Sequence, residues 1–388
     1  MPIVNRFADF QADTVAWRRD IHRHPELLYE VHRTAATVAE KLRAFGVDEV
    51  ATGIGRTGVV GVIRGRRTTS GKVVGLRADM DALPLGETTG KPYASEVAGL
   101  MHACGHDGHT AMLLGAARYL AETRNFDGTA VVIFQPAEEG GGGGKAMVED
   151  GLMERWNIQE VYGMHNMPGI PAGHFHIRPG PIMASTDEFT IIVHGAGAHA
   201  AKPHLSVDPI IVGMGIGQAL QTIVSRSVDP VASAVVSLTR FHAGGARNII
   251  SDTAELGGTV RTLRAAERDL AERRLREIAA GVAAAYGATV EIDYDRNYPV
   301  TSNHVKQTAF AAGVARSVAG DSRVEAEADP LLGGEDFSYM LEARPGAFIF
   351  IGNGDTAGLH TSTYDFNDDI IPAGSSYWAR LVETAMPA

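Results

Sequence analysis

The chain has 388 residues, 45% apolar and 21% charged, a length that points to two domains and a composition that excludes a disordered or fibrous protein. Its 46 acidic against 35 basic residues give a formal net charge of −11, which argues against nucleic-acid and anionic-membrane partners because both need a basic face. No apolar run approaches the roughly 20 residues that span a bilayer. MPIVNRFADF lacks the apolar centre of a secretory leader, and Cys104 is the single cysteine, so the expectation is a cytoplasmic protein without internal disulfides.

Along 30–45, apolar side chains at Val31, Ala35, Val38, Leu42 and Phe45 keep helical spacing, with Gly46 as the cap. A short strand is predicted at 73–76, followed by Arg77, Asp79 and Asp81, then a helix over 110–121 and a strand over 130–134. Helices alternating with continuous apolar strands predict a mostly parallel α/β sheet. The middle has another rhythm. A strand over 188–194 is followed by a helix opened by Asp208 as N-cap and Pro209 as its first residue. Strands over 233–239 and 254–263, a helix striped by Leu270, Leu275, Ile278 and Val282, and a strand over 289–294 complete it. That β-α-β-β-α-β order is the ferredoxin-like pattern. An apolar strand at 347–351 returns to the first rhythm. The predicted architecture is a discontinuous α/β domain, 1–184 and 297–388, interrupted by an α+β insertion at 185–296.

Residues 137–145, AEEGGGGGK, raise two chemistries. A phosphate-binding loop ending at Lys145 would need a glycine where Glu139 stands and a hydroxyl where Ala146 stands, so that reading fails. Whether the five glycines form a mobile link or a close backbone approach stays open at this level. Adjacent carboxylates suit metal chemistry instead. In extended backbone, neighbours point to opposite sides, so one glutamate ligates while the other handles the proton of a metal-activated water.

Further potential ligands lie just after apolar runs or at a helix opening: Cys104, His106, Asp107 and His109 in MHACGHDGHTAML, His165 in VYGMHNMPG, and His360 in GLHTSTYDF. Strand ends on one side of an open α/β sheet converge on one crevice. Cys104 and His106, two apart in a loop or extended segment, can face the same way. Together with Glu139, His165 and His360 they make a mixed S/N/O donor set suited to Zn²⁺ or Mn²⁺, with Co²⁺ or Ni²⁺ as alternatives. Five protein ligands exceed the three of a mononuclear catalytic zinc site, so two ions are expected.

These stretches resemble the M20 metallopeptidases, in particular the amidohydrolase branch of hippurate hydrolases, N-acyl-amino-acid amidohydrolases and auxin-conjugate hydrolases. The resemblance runs nearly end to end through RRDIHRHPEL, GLRADMDALPLGE, HACGHDGHTAMLLGAA, FQPAEEGGGG, GMHNMPG, GAGAHAAKPH, GTVRT, GGEDFSYML and LHTSTYDF. It implies a dinuclear-metal catalytic α/β domain with an inserted ferredoxin-like lid that also mediates dimerisation. It implies Cys104, His106, Glu139, His165 and His360 as ligands, Glu138 as general base, and Asp81 as an acid supporting the site from behind. His199 would reach the site of a partner subunit, and Asn248 and Arg261 would contact substrate.

The implied activity is hydrolysis of the amide of a small N-acyl or N-aroyl amino acid by a homodimer, or a tetramer. The alternatives are a dipeptidase or carboxypeptidase on the same scaffold, or a non-catalytic protein binding a metal or small acid. Gly-Ala-His at 197–199 and HPELLYEV depart from the family's usual wording and bear on substrate choice.

Overall fold

The computed structural model describes residues 5–388, which separate into two compact units. The first comprises the chain through Ile182, Ser302–Asp329 and Asp336–Ala388; the second comprises Met183–Thr301 and Pro330–Glu335.

The first unit is built on an eight-stranded sheet. Its centre is four parallel strands, in the order Thr129–Gln135, Val73–Asp79, Glu160–Pro168 and Gly346–Gly354. The sheet is mixed around this parallel centre. An antiparallel hairpin, Glu49–Ile54 with Gly58–Arg64, is added at one side, and Phe175–His176 joins antiparallel at the other. The central strands are buried along their length, as expected for strands covered on both faces.

The helix predicted over 110–121 begins four residues earlier, at His106, and runs to Thr123. Every residue from His106 to Ala117 is buried, because Arg6–Arg23 and Ile371–Ala385 pack against it. Gly108 is required inside it, since a Cβ there would strike the Phe366 ring. The early start corrects the expectation of a loop or extended segment around His106: Cys104 precedes the helix and His106 opens it.

The second unit has a four-stranded antiparallel sheet in the order Ala234–Ala243, Thr253–Thr262, Ser185–His194, Thr289–Arg296. Helices Pro209–Leu220 and Ala265–Ala285 cover one face through Val212, Ile216, Leu275 and Ala279, which meet Phe189, Ile191, Val193 and Leu256. Asp208 caps the first helix, accepting from the Ile210 N–H at 2.9 Å. Buried Asp187 takes the Arg268 guanidinium at 2.5 Å and the Tyr294 hydroxyl at 2.8 Å, tying the Ala265–Ala285 helix to the sheet. Among the described residues, no helix is long and apolar enough to cross a membrane.

Candidate metal centre

All four central strands of the first unit run the same way, so their C-terminal ends lie together. Val73–Asp79 leads into Asp81, Thr129–Gln135 into Glu138 and Glu139, and Gly346–Gly354 toward His360; His165 stands near the end of Glu160–Pro168. Cys104 and His106 come from the turn that opens the buried helix. The ligand atoms of Cys104, His106 and His165 lie within 4.8 Å of one another, as do those of Cys104, Glu139 and His360, and those of His106, Glu138 and Glu139. The structure thus brings the five sequence-predicted ligands and Glu138 into one cluster.

The glutamates do not lie in extended backbone. Ala137 has φ +54°, and Glu138 and Glu139 occupy a turn. Asp81 holds that turn from behind: its two oxygens accept the Glu138 N–H at 3.0 Å and the Glu139 N–H at 3.1 Å.

The glycine run is ordered by close approach, and its residues serve two purposes. Gly140 and Gly142 have φ of +90° and +66°, with open space where a Cβ would go. At Gly141 a Cβ would sit 2.6 Å from the Ala137 side chain, at Gly143 it would fall on the Pro136 carbonyl, and at Gly144 it would lie 2.7 Å from the Asp336 carbonyl oxygen. Among the contacts that fasten the loop, Tyr29 donates to the Gly141 carbonyl at 2.7 Å, Gly143 N–H to the Ala137 carbonyl at 3.0 Å, and Gly144 N–H to Asp336 at 2.7 Å. Lys145 is exposed beside Glu149 and has no part in the cluster.

The polar groups behind the cluster fix which ligand atoms face inward. His165 Nδ1 donates to the Asn166 carbonyl at 2.5 Å, which leaves Nε2 toward the Cys104 sulfur at 3.3 Å. His109 donates from Nδ1 to Asp79 at 2.7 Å and accepts the Asn166 N–H on Nε2 at 2.8 Å. With both ring nitrogens engaged, His109 is a supporting group and not a ligand. Buried Arg77 reaches Asp79 at 2.7 Å and Asp336 at 3.0 Å, joining this layer to the anchor of the glycine loop. Sequence reasoning had no role for Arg77, Asn166 or Asp336; Asp79 is two residues from Arg77, but the other side-chain partners are distant in the chain.

Two buried polar residues stand out. No contact of hydrogen-bond geometry satisfies either nitrogen of His106 or Glu139 Oε1, although carboxylates and imidazoles crowd them: His106 Nδ1 lies 3.4 Å from Asp81, and Glu139 Oε1 lies 3.3 Å from His360 Nε2. Burial alone would make His106 hard to protonate, but Asp79 and Asp81 outweigh it and hold its pKa up at about 10. Burial and then the charge of Glu139 push the Cys104 thiol well above its ordinary range. Orphaned inward-facing donors in a negatively charged pocket fit a cation, and thiol, imidazole and carboxylate together fit a divalent transition ion.

His199 and Asn248 lie on a small ribbon of the second unit, where Ala198–His199 pairs with Ile249–Ile250 and the Ala200 N–H donates to the Asn248 carbonyl at 3.0 Å. Arg261 is half-buried toward the other end of Thr253–Thr262, with its Nη1 buried and unpartnered. The eight steps from Thr253 to Arg261 span about 26 Å of strand. Within this unit the three side chains therefore do not form one cluster.

The model of peptidase family M20/M25/M40 matches residues 75–384. The chain is 44% identical to the hippurate hydrolase of Campylobacter jejuni, over 98% of each chain. It is 42% identical to thermostable carboxypeptidase 2 of Saccharolobus solfataricus, over 94% of this chain and 93% of the relative. Among solved structures, the YXEP protein of Bacillus subtilis, a dinuclear metal-binding peptidase of the M20 family, superposes with a TM-score of 0.86 at 34% identity, covering 98% of this chain and 99% of that one.

Proposed function

We propose, for a chain that belongs to peptidase family M20/M25/M40, hydrolysis of the amide bond of N-acyl or N-aroyl amino acids with two bound divalent ions. The chain is a metal-dependent hydrolase, and the observation that carries the reading is Glu138 beside a mixed thiol, imidazole and carboxylate donor set in one cluster. Similarity to a hippurate hydrolase along nearly the whole of both chains supports the acyl-amino-acid class.

Cys104, His106, Glu139, His165 and His360 would hold the ions, and Mn²⁺ or Zn²⁺ suits this set best, with Co²⁺ or Ni²⁺ as alternatives. Bound ions supply Lewis-acid polarisation and lower the pKa of water. Glu138 accepts the proton as water attacks the carbonyl and returns it to the leaving amine. Asp81 fixes the turn that carries Glu138 and Glu139 by accepting both backbone N–H groups. Arg261 has the planar fork to receive the substrate carboxylate, and His199 with Asn248 would stabilise the oxyanion in a partner subunit. The wide spacing of Arg261 from the His199 ribbon supports such a division of work.

A homodimer through the second unit follows from the same reading. The segment 209–225 carries no charged residue, and Ile211 and Met214 are exposed on its helix. A surface helix of that composition suits a covered face. The single cysteine, needed as a thiolate, suits a reducing cytoplasm.

Carboxypeptidase action is the second reading, favoured by the similarity to the Saccharolobus enzyme. A panel of hippurate, other N-acyl amino acids, free dipeptides and longer peptides, run on protein reconstituted with Mn²⁺, Zn²⁺, Co²⁺ or Ni²⁺, tests both. Preferential cleavage of acyl-amino acids is expected. Turnover confined to peptides with a free amino terminus would overturn the proposal.

A further inference from the structure

We infer that Asn166 is a positioning residue that aligns Cys104 and His165 through two different parts of itself. Its side chain is fully buried at the end of Glu160–Pro168 and uses all its polar atoms. Nδ2 donates to the Cys104 carbonyl at 2.6 Å and lies 3.0 Å from His109 Nε2, while Oδ1 accepts the Tyr364 hydroxyl at 2.8 Å. The backbone carbonyl of the same residue receives His165 Nδ1.

The orientation of the amide is fixed chemically. The Cys104 carbonyl can only accept, so the nitrogen must face it; the one lone pair of His109 Nε2 is shared between the Asn166 backbone N–H and that same nitrogen. The hydroxyl of Tyr364, itself buried, is then the donor that the remaining amide oxygen needs.

A fixed Cys104 carbonyl leaves the sulfur one side-chain torsion with which to miss its place, and a fixed Nδ1 leaves the His165 ring a single presented nitrogen. The two ligand atoms accordingly stand 3.3 Å apart, facing each other. Gly105 reports the same constraint from the other side: a Cβ there would fall on the Asn166 amide nitrogen and lie 2.5 Å from the Tyr364 hydroxyl. The chain forgoes a side chain at the helix opening so that this amide can reach the Cys104 carbonyl. Supporting groups of this kind set metal affinity because they fix the ligands before the ion arrives.

The inference rests on the metal reading above, and its test reads the metal rather than turnover. Full-length protein is loaded with Co²⁺, and the near-ultraviolet thiolate-to-cobalt charge-transfer band is recorded, with Co²⁺ affinity measured by chelator competition. Asn166→Asp replaces the donor to Cys104 with an acceptor. Tyr364→Phe removes only the hydroxyl that anchors the amide and keeps the shape of the core. Both are expected to weaken or shift the band and to lower Co²⁺ affinity by about 10- to 100-fold, Asn166→Asp more than Tyr364→Phe. A folded Tyr364→Phe protein with wild-type band and affinity would overturn the inference, even if Asn166→Asp fails to fold. Absence of the band in the wild-type protein would remove the thiolate reading of the site, and this inference with it.

Discussion

The inner and outer halves of the ligand cluster are built differently. Cys104, His106 and His165 are buried, and the ring of His165 is held from behind by a backbone carbonyl. His360 is 54% exposed, stands on a loop with φ +60°, and meets Glu139 at 3.3 Å. A non-glycine residue in that conformation costs about 1–3 kcal/mol, so the surrounding structure must hold it there. The Ala103 carbonyl, accepting the His360 N–H at 2.8 Å, is one such restraint. Inner ligands are thus prearranged by the fold, while the outer pair is carried by a turn and a loop. An inner ion should be held more tightly than an outer one.

The largest effect is expected between the halves. Glu138→Gln should lower amide cleavage by about 10²–10⁴-fold while leaving metal content, measured by elemental analysis, near wild type. Loss of metal together with activity would make Glu138 a ligand and erase the distinction between its role and that of Glu139.

Arg77→Met tests the support behind the inner half. It strips the guanidinium from buried Asp79 and Asp336 and should cost about 3–5 kcal/mol in denaturant unfolding of the metal-free protein. A change under about 1 kcal/mol would mean that the inner half does not depend on this layer.

The outer half is tested by His360→Ala, expected to release one ion and retain the other, with affinity for the labile ion falling about 10- to 100-fold. His106→Ala should release both, because His106 belongs to groups on both sides of the cluster. Equal losses in the two variants would break the comparison.

A last comparison concerns a buried histidine that is not among the ligands. Burial disfavours the charged form of His22, but its contacts with Asp107 at 2.8 Å and Glu87 at 3.2 Å outweigh that and raise its pKa to about 9. A folded-state pKa above the unfolded value of about 6.5 stabilises fully below that pH and is lost as pH rises through 9. Wild-type stability should therefore fall between about pH 6.5 and 9 by an amount of the order of 3 kcal/mol. His22→Gln should flatten that slope, and an unchanged slope would assign it to other groups.

The ligands were legible because each follows an apolar run or opens a helix, and an α/β frame puts such ends together. The helix start was misjudged because GHDG places two glycines where a helix should begin. One glycine makes room for an amide from 61 residues away and the other for an aromatic ring. Asn166 was invisible for a related reason: its side-chain partners lie 62, 57 and 198 residues along the chain. The turn at Glu138 and Glu139 was misread as extended because nothing local announces that Asp81 sits inside it. What sequence conveys poorly is the layer whose meaning depends on distant neighbours.

The run GGGGG looks like one message repeated, yet it carries two kinds of information. At Gly140 and Gly142 the constraint is handedness, and asparagine, which tolerates the left-handed region, could be read in place of glycine at modest cost. At Gly143 and Gly144 the constraint is vacancy: the place a side chain would take is already filled by carbonyl oxygens, and no other residue spells that. Random substitution along this stretch should therefore yield a comb of tolerance, open at 140 and 142 and closed at 143 and 144, that locates the metal-bearing turn without reference to activity.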